Sequence, residues 1–163
     1  MPNRKNLEEL FTETLKDIYF AEQQILRALP KMAREAASPE LKQAFETHRE
    51  QTEGQVERLN RVFEQLGRPA RGKTCEAIIG IIDEAKEIME EFKGAEALDA
   101  GLASSAQAVE HYEIARYGTL KTWAQQLGLN DAAKLLDETL QEEIKTDQLL
   151  TRLATSTINK KAA

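Results

Sequence analysis

Apolar side chains recur at intervals of three and four residues along most of this chain of 163 residues. This spacing places them on one face of an α-helix, whereas runs of β-branched or aromatic residues, which favour strands, are scarce. Glycine and proline interrupt the pattern at only a few places, so the helical segments are long. We therefore predict an all-α protein with helices at about 6–36, 39–66, 74–93, 95–127 and 131–156.

The connections between these helices predict how they are arranged. Short connections follow the first and the third long helix, and short connections join antiparallel neighbours. The long connection between the second and third long helices contains the short helix 74–93 and lets those two long helices run parallel. The predicted fold is an up-down-down-up four-helix bundle with an extra short helix in its crossover, which is the ferritin-like arrangement. A single domain over residues 1–163 fits this length.

Composition and charge exclude several classes of protein. The net charge of −6 provides no basic surface to neutralise phosphates, so we expect no nucleic-acid binding. No stretch approaches the roughly 18 apolar residues of a membrane span, and residues 1–10 lack the apolar core of a signal peptide. Cys75 is the only cysteine and cannot form an internal disulfide. We therefore predict a cytoplasmic protein that does not bind a membrane.

Several acidic residues occur within the apolar stripes of the predicted helices. Glu143 falls near the middle of the apolar face of the last helix, and Asp147 lies one turn later on the edge of that face. Glu22 lies beside Ile18 and Ile25 in the first helix. An ionised carboxylate in a core costs several kcal/mol unless it is paired or bound to a metal. These positions therefore indicate a buried functional or ion-paired cluster.

The other two long helices also contain candidates. Glu110 and Glu113 are three residues apart on the third long helix, so both can face one site, while His111 projects to the opposite side. On the second helix, His48 projects inward and Glu53 lies on the flank of the apolar face. All four long helices can therefore contribute polar side chains to the interior.

Carboxylates that converge from several helices are the ligands of carboxylate-bridged dimetal centres, and hard oxygen ligands suit iron or manganese. Three alternatives stay open. The acids can form boundary ion pairs with lysine or arginine, His48 can be a hydrogen-bonded core residue, and a small ligand can bind between the helices. The predicted metal ligands are Glu22, His48, Glu53, Glu110, Glu113, Glu143 and Asp147.

Four segments, 15–24, 52–59, 110–120 and 140–143, resemble the YciE/YciF family of bacterial stress-induced proteins. The likeness spans residues 7–161, and Glu110-His111-Tyr112-Glu113 is its most specific part. The resemblance implies a fold similar to rubrerythrins and ferritins, a homodimer, and a centre of two iron or manganese ions. By the same resemblance, Glu22 matches the first-helix glutamate of a rubrerythrin-like site. Glu110 and Glu113 match its third-helix pair, and Glu143 matches its fourth-helix glutamate.

The chain departs from rubrerythrins on two helices. Those proteins use Glu-x-x-His on the second and fourth helices, whereas this chain has Thr52-x-x-Gln55 or Glu50-x-x-Glu53, and Glu143-x-x-Thr146. The resemblance implies a ferritin-like stress-response protein which, if it is an enzyme, oxidises iron or consumes peroxide. The alternative is a non-catalytic dimeric helical scaffold or interaction protein with a degenerate metal site.

Overall fold

The computed structural model describes residues 5–163, so the first four positions of the predicted domain lie outside the described residues. The chain is all-helical over this range. The elements in chain order are α1 Leu7–Glu35, α2 Pro39–Gln65, α3 Glu76–Glu91, α4 Leu98–Gln126, α5 Asn130–Leu153, a π-helical turn Ala154–Ile158, and α6 Asn159–Ala162.

Helices α1, α2, α5 and α4 form the bundle, and in that order each packs against the next, with α4 returning to α1. The carboxylate of Asp99, near the start of α4, accepts hydrogen bonds from the backbone N–H groups of Ala37 (2.9 Å) and Ser38 (2.7 Å). Those two residues form the turn between α1 and α2, so α4 begins at the end of the bundle where α2 begins. Helices α2 and α4 therefore run parallel, which confirms the up-down-down-up arrangement.

Helix α3 lies in the crossover and packs on α4 and α1. The segment before it is fixed to α1, because the backbone N–H of Lys73 donates to the carbonyl of Lys16 at 3.1 Å. The ammonium group of Lys73 also lies 3.2 Å from the Glu13 carboxylate. Cys75 caps α3, and its buried thiol lies 3.0 Å from the hydroxyl of Tyr112. The crossover thus covers one side of the bundle.

Two helix boundaries differ from the sequence expectation. Helix α4 begins at Leu98 rather than at Ala95, because Gly94 adopts a φ of +73° and the next residues form a turn. The helical conformation at the C-terminus continues through the π-helical turn to Ala162, beyond the expected end at Ser156. Ile158 in that turn is buried, and its apolar contact keeps the last segment on the bundle.

The core consists of apolar side chains from all the long helices and is interrupted by one group of buried polar residues. The largest fully buried side chains are Tyr117, Phe11, Phe45, Phe63, Leu15, Ile18, Leu41, Leu59, Ile78, Leu102, Leu120 and Leu136. No helix within residues 5–163 combines the length and the apolar character that a bilayer crossing requires.

Candidate metal centre

Five ionisable side chains from four helices meet inside the bundle. Glu22 comes from α1, His48 from α2, Glu110 and Glu113 from α4, and Glu143 from α5. His48 is 3% exposed and the four glutamates are 0% exposed. Each residue lies in the apolar stripe of its helix, so packing of the bundle brings all five together.

His48, Glu110 and Glu143 form one part of the cluster. One possible ligand atom from each lies within 4.8 Å of the other two. The His48 Nε2 atom is 2.9 Å from Glu110 Oε1 and 3.6 Å from Glu143 Oε2. Although these contacts are short, His48 Nε2 does not have the alignment of a hydrogen bond with either oxygen. The ring and the two carboxylates therefore converge on a shared space instead of forming a closed ion pair.

Glu22 and Glu113 form the other part of the cluster, beside the hydroxyl of Tyr117. Both oxygens of each carboxylate are buried without a hydrogen-bond donor, and the Tyr117 hydroxyl is also unpartnered. The two carboxyl groups lie close enough to hydrogen bond with each other when one is protonated. Glu143 interacts electrostatically with this part as well as with His48, so it occupies the middle of the cluster.

Gln55 is a member of the site that the sequence analysis did not propose as a ligand. Its amide group is fully buried on α2 and donates to Glu143 Oε1 at 2.5 Å. His48, Thr52 and Gln55 are spaced four and three residues apart, and this spacing indicates that Gln55 shares the inward face of α2. An amide is not a usual ligand type for iron, so the residue type of Gln55 alone does not indicate a role in a metal site.

Three of the four buried glutamates have raised pKa values. Burial is the largest cause for Glu22 and raises its pKa to about 8. Burial likewise raises the pKa of Glu113 well above its usual range, and the charges of Glu143 and Glu22 raise it further. Burial also raises the pKa of Glu110 well above its usual range, although the charge of His48 opposes this. Burial thus favours the protonated forms of all three carboxyl groups when no metal is bound.

His48 and Glu143 are shifted toward their charged forms. Burial lowers the pKa of His48, but the nearby carboxyl groups of Glu110 and Glu143 outweigh it, so the net shift is well upward. Burial raises the pKa of Glu143, but the close polar groups of Glu110, His48 and Glu113 outweigh it, and the net shift is downward. Without a metal, the interior therefore favours the charged forms of His48 and Glu143 and the protonated forms of the other three acids.

Buried polar atoms without a hydrogen-bond partner indicate whether these residues suit a metal ion. Both oxygens of Glu22, Glu110 and Glu113, together with Glu143 Oε2 and His48 Nε2, are buried without a hydrogen-bond partner among the described residues. Leaving such groups without partners is costly, and native proteins rarely do so. Carboxylate oxygens and one imidazole nitrogen are the ligands that iron(II) and manganese(II) accept. The residues present therefore fit a metal centre in chemical type and in burial.

Two predicted ligands lie outside this cluster. Glu53 is exposed on the outer side of α2. Asp147 is half-buried and accepts from the side chain of Gln107, and His111 Nε2 lies 3.1 Å from its carboxylate. Each of the two residues directly follows an inward-facing threonine, Thr52 or Thr146. Because one step along a helix rotates the side chain by about 100°, the residue after each threonine points away from the cluster.

Comparison with known proteins places the chain in a family. The family described as "Domain of unknown function (DUF892)" matches residues 6–163. This chain belongs to the DUF892 family. It is 49% identical to Protein YciF of Escherichia coli (strain K12) over 161 residues, which cover 98% of this chain and 97% of that protein. The resemblance to the YciE/YciF family is thereby confirmed.

Solved structures of similar proteins support the same fold. The crystal structure of the E. coli stress protein YciF matches with a TM-score of 0.91 and 48% identity, covering 96% of this chain and 99% of that one. YcfI, described as a putative structural protein from Rhodopseudomonas palustris, matches with a TM-score of 0.89 and 45% identity, covering 92% and 96%. A protein from Xanthomonas campestris pv. campestris shares the fold with a TM-score of 0.72 at 24% identity, over 94% of both chains.

Proposed function

We propose that this DUF892 protein binds two metal ions, iron or manganese, inside its helical bundle. Glu22, His48, Glu110, Glu113 and Glu143 would hold them, and the central position of Glu143 suits it to contact both ions. The single observation that carries the proposal is the set of buried carboxylate oxygens without hydrogen-bond donors. Two cations would supply the positive charge that these oxygens lack.

The chain's own residues set the character of such a centre. The amide of Gln55 orients Glu143 through its 2.5 Å hydrogen bond and leaves the second oxygen of that carboxylate free for a ligand role. The apolar core around the cluster excludes bulk water. Bound iron or manganese would supply one-electron redox chemistry, as expected of a protein that oxidises iron or consumes peroxide.

Metal stoichiometry tests the proposal. Purified protein is freed of metal, equilibrated anaerobically with iron(II) or with manganese(II), and separated from unbound ions before elemental analysis. We expect about two ions per chain, as in other carboxylate dimetal bundles. Glu143→Ala should bind at most one ion, because Glu143 contacts both parts of the cluster.

Glu53→Ala provides the matched control, because Glu53 is an exposed glutamate on α2. This variant should bind as much metal as the parent does. If the parent binds no more than background, or if Glu143→Ala equals the parent, the proposed centre does not exist.

A second candidate is a metal-free scaffold, and the contacts of Glu143 favour it. The anionic carboxylate already lies near the cationic His48 and accepts a hydrogen bond from Gln55, so it is partly compensated without a metal. On this view Glu143→Leu leaves stability unchanged or raises it, because a packed apolar residue often replaces a buried ion pair without loss. A large loss of stability, matched by the loss when metal is stripped from the parent, would contradict the scaffold.

We also infer a homodimer and a stress-related role in the cytoplasm. The relative described as a stress protein supports the stress-related role. Sedimentation equilibrium of the purified chain should give twice the monomer mass of 18.4 kDa. A monomer at all concentrations tested would remove the dimer from the proposal.

A further inference from the structure

A cavity between α1, α3 and α4 leads from exposed residues to His48. Its walls are almost entirely apolar, and His48, at its inner side, is 3% exposed. The residues that form the apolar walls include Ile25, Leu29, Met32, Ile82, Met89 and Val109. His48 therefore borders both the acid cluster and this separate apolar space.

The cavity is large enough for a chain of several atoms. Its volume is about 90 Å³, which is several times the roughly 10–15 Å³ that one water molecule needs. Water in such a space has few polar partners, because the walls are side chains such as Leu29 and Ile82. An apolar chain would displace it favourably.

Three cations border the cavity at its exposed part. Arg27 and Lys31 come from α1, and Lys86 comes from α3. All three are exposed, and none forms an ion pair with any residue in the part of the chain that the structure describes. No acidic residue is among those that line the cavity. In a protein of net charge −6, this concentration of positive charge is complementary to an anion.

We propose that this cavity binds a free aliphatic monocarboxylate of medium chain length. The chain occupies the apolar interior, and the carboxylate lies among Arg27, Lys31 and Lys86. The end of the chain approaches His48, so occupancy of the cavity changes the surroundings of that ring. None of the four clustered glutamates takes part, and the site does not require a bound metal.

Octanoate is the probe, and the two histidines of the chain report on it. The metal-free full-length protein is labelled with ¹⁵N, and the ring signals of His48 and His111 are followed by NMR during titration at constant pH. His111 is on the surface with a 69% exposed side chain, so it serves as an internal reference. We expect a saturable shift of the His48 signals and no shift of the His111 signals.

Charge variants test the role of the three cations. The triple variant Arg27→Gln, Lys31→Gln, Lys86→Gln should raise the Kd for octanoate by about five- to tenfold, as expected for the loss of three exposed charge interactions. A control triple variant with the same charge change, Arg61→Gln, Lys134→Gln, Lys160→Gln, should bind like the parent. These control residues are exposed and do not line the cavity.

Substitutions that fill the cavity with a larger side chain test the role of its apolar interior. Ala106→Leu and Ala85→Leu each add a bulky side chain at the cavity wall, and each should abolish the octanoate response. Helix content and thermal unfolding identify any variant that fails to fold. If one of the two fails to fold, the octanoate response of the other variant is the test. Absence of a saturable His48 shift in the parent overturns the proposal, as does equal weakening by both triple variants. Because metal is absent throughout, failure here leaves the dimetal proposal unaffected.

Discussion

At the scale of single residues, the donors near each carboxyl group determine its protonation. Glu143 receives a hydrogen bond from Gln55 and lies near the cationic His48, so its pKa is lowered despite burial. Glu22 and Glu113 are fully buried without a donor, so burial raises their pKa values. Acids of the same type in one interior therefore exist in different states.

Gln55 stabilises the buried anion, which leads to a first prediction. Gln55→Leu should lower the free energy of unfolding of the metal-free protein by about 1–3 kcal/mol, because Glu143 loses a buried donor. Urea denaturation in the presence of a chelator measures this loss. Gln148→Leu, at an exposed position of α5, is the control and should change stability by less than about 0.5 kcal/mol. An equal effect of the two substitutions would contradict the role of the Gln55 amide.

The raised pKa of Glu22 predicts how metal-free stability depends on pH. The pKa of Glu22 is about 8 in the fold and lower in the unfolded chain. Between pH 5 and 6.5 the folded protein keeps this proton and the unfolded chain has lost it, so raising the pH favours unfolding. The free energy of unfolding should therefore fall by about 1.4 kcal/mol per pH unit for this group.

Glu22→Gln removes that titration and should reduce the slope by about this amount. The lowered pKa of Glu143 acts in the opposite direction, but only below pH 4.5, outside the window. Urea denaturation at several pH values with a chelator measures both proteins. Identical slopes for the parent and Glu22→Gln would show that Glu22 is ionised in the fold.

At the scale of helices, α4 packs against α1, α3 and α5. Its contact with α3 is close at Gly101, where an added Cβ would lie 2.6 Å from Cγ2 of Ile88. That methyl group is on a β-branched side chain and cannot move away easily. The absence of a side chain at Gly101 therefore allows α3 to pack directly on α4.

Two glycines of α4 give a matched prediction. Gly101→Ala should destabilise the protein by about 1–3 kcal/mol because the new methyl group overlaps Ile88. Gly118→Ala should instead stabilise it by about 0.5–1 kcal/mol, because a Cβ there has nothing within 4 Å and alanine favours the helix. Thermal unfolding measures both. A stabilising Gly101→Ala would mean that α3 is not held closely against α4.

The sequence predicts the helices well because the breakers and the three-and-four spacing are local properties. The inward position of Glu143 follows in the same way from the apolar residues on both sides of it. The placement of Glu53 could not be resolved, because Thr52 and Gln55 form the inward face of α2 and polar residues do not mark a face clearly. The contact between His48 and Glu110 depends on how α2 and α4 are placed in the bundle. The periodicity of a single helix gives no information on that placement.

At the scale of the whole molecule, the cluster lowers the stability of the metal-free protein. Buried carboxyl groups without donors are unfavourable in the fold, and the surrounding apolar core has to compensate for them. A ligand that binds only the folded state reverses this effect in proportion to its affinity. Metal content and folding stability should therefore change together.

Substitution of Glu113 tests the coupling between metal content and folding stability. Manganese(II) at 100 times its Kd should stabilise the parent by at least about 2.7 kcal/mol, the value for one site, measured by urea denaturation with and without chelator. Glu113→Leu should lose this response while the metal-free protein becomes as stable as the parent or more so, because an unpartnered buried acid is removed. The exposed substitution Glu53→Gln should keep the full response. A stabilised Glu113→Leu that still responds to manganese would place the ions elsewhere.

The hydrogen bonds of Asp99 set the axial register of the two parallel helices. Ser38 caps the start of α2 and lies ten residues before His48, and Asp99 lies eleven residues before Glu110. At 1.5 Å per residue both distances are about 15–17 Å, so His48 and Glu110 reach the same depth below that end of the bundle. A slip of α4 by one turn, about 5.4 Å, would separate the imidazole from its carboxylate. A surface turn thus fixes the alignment of side chains that lie deep in the interior.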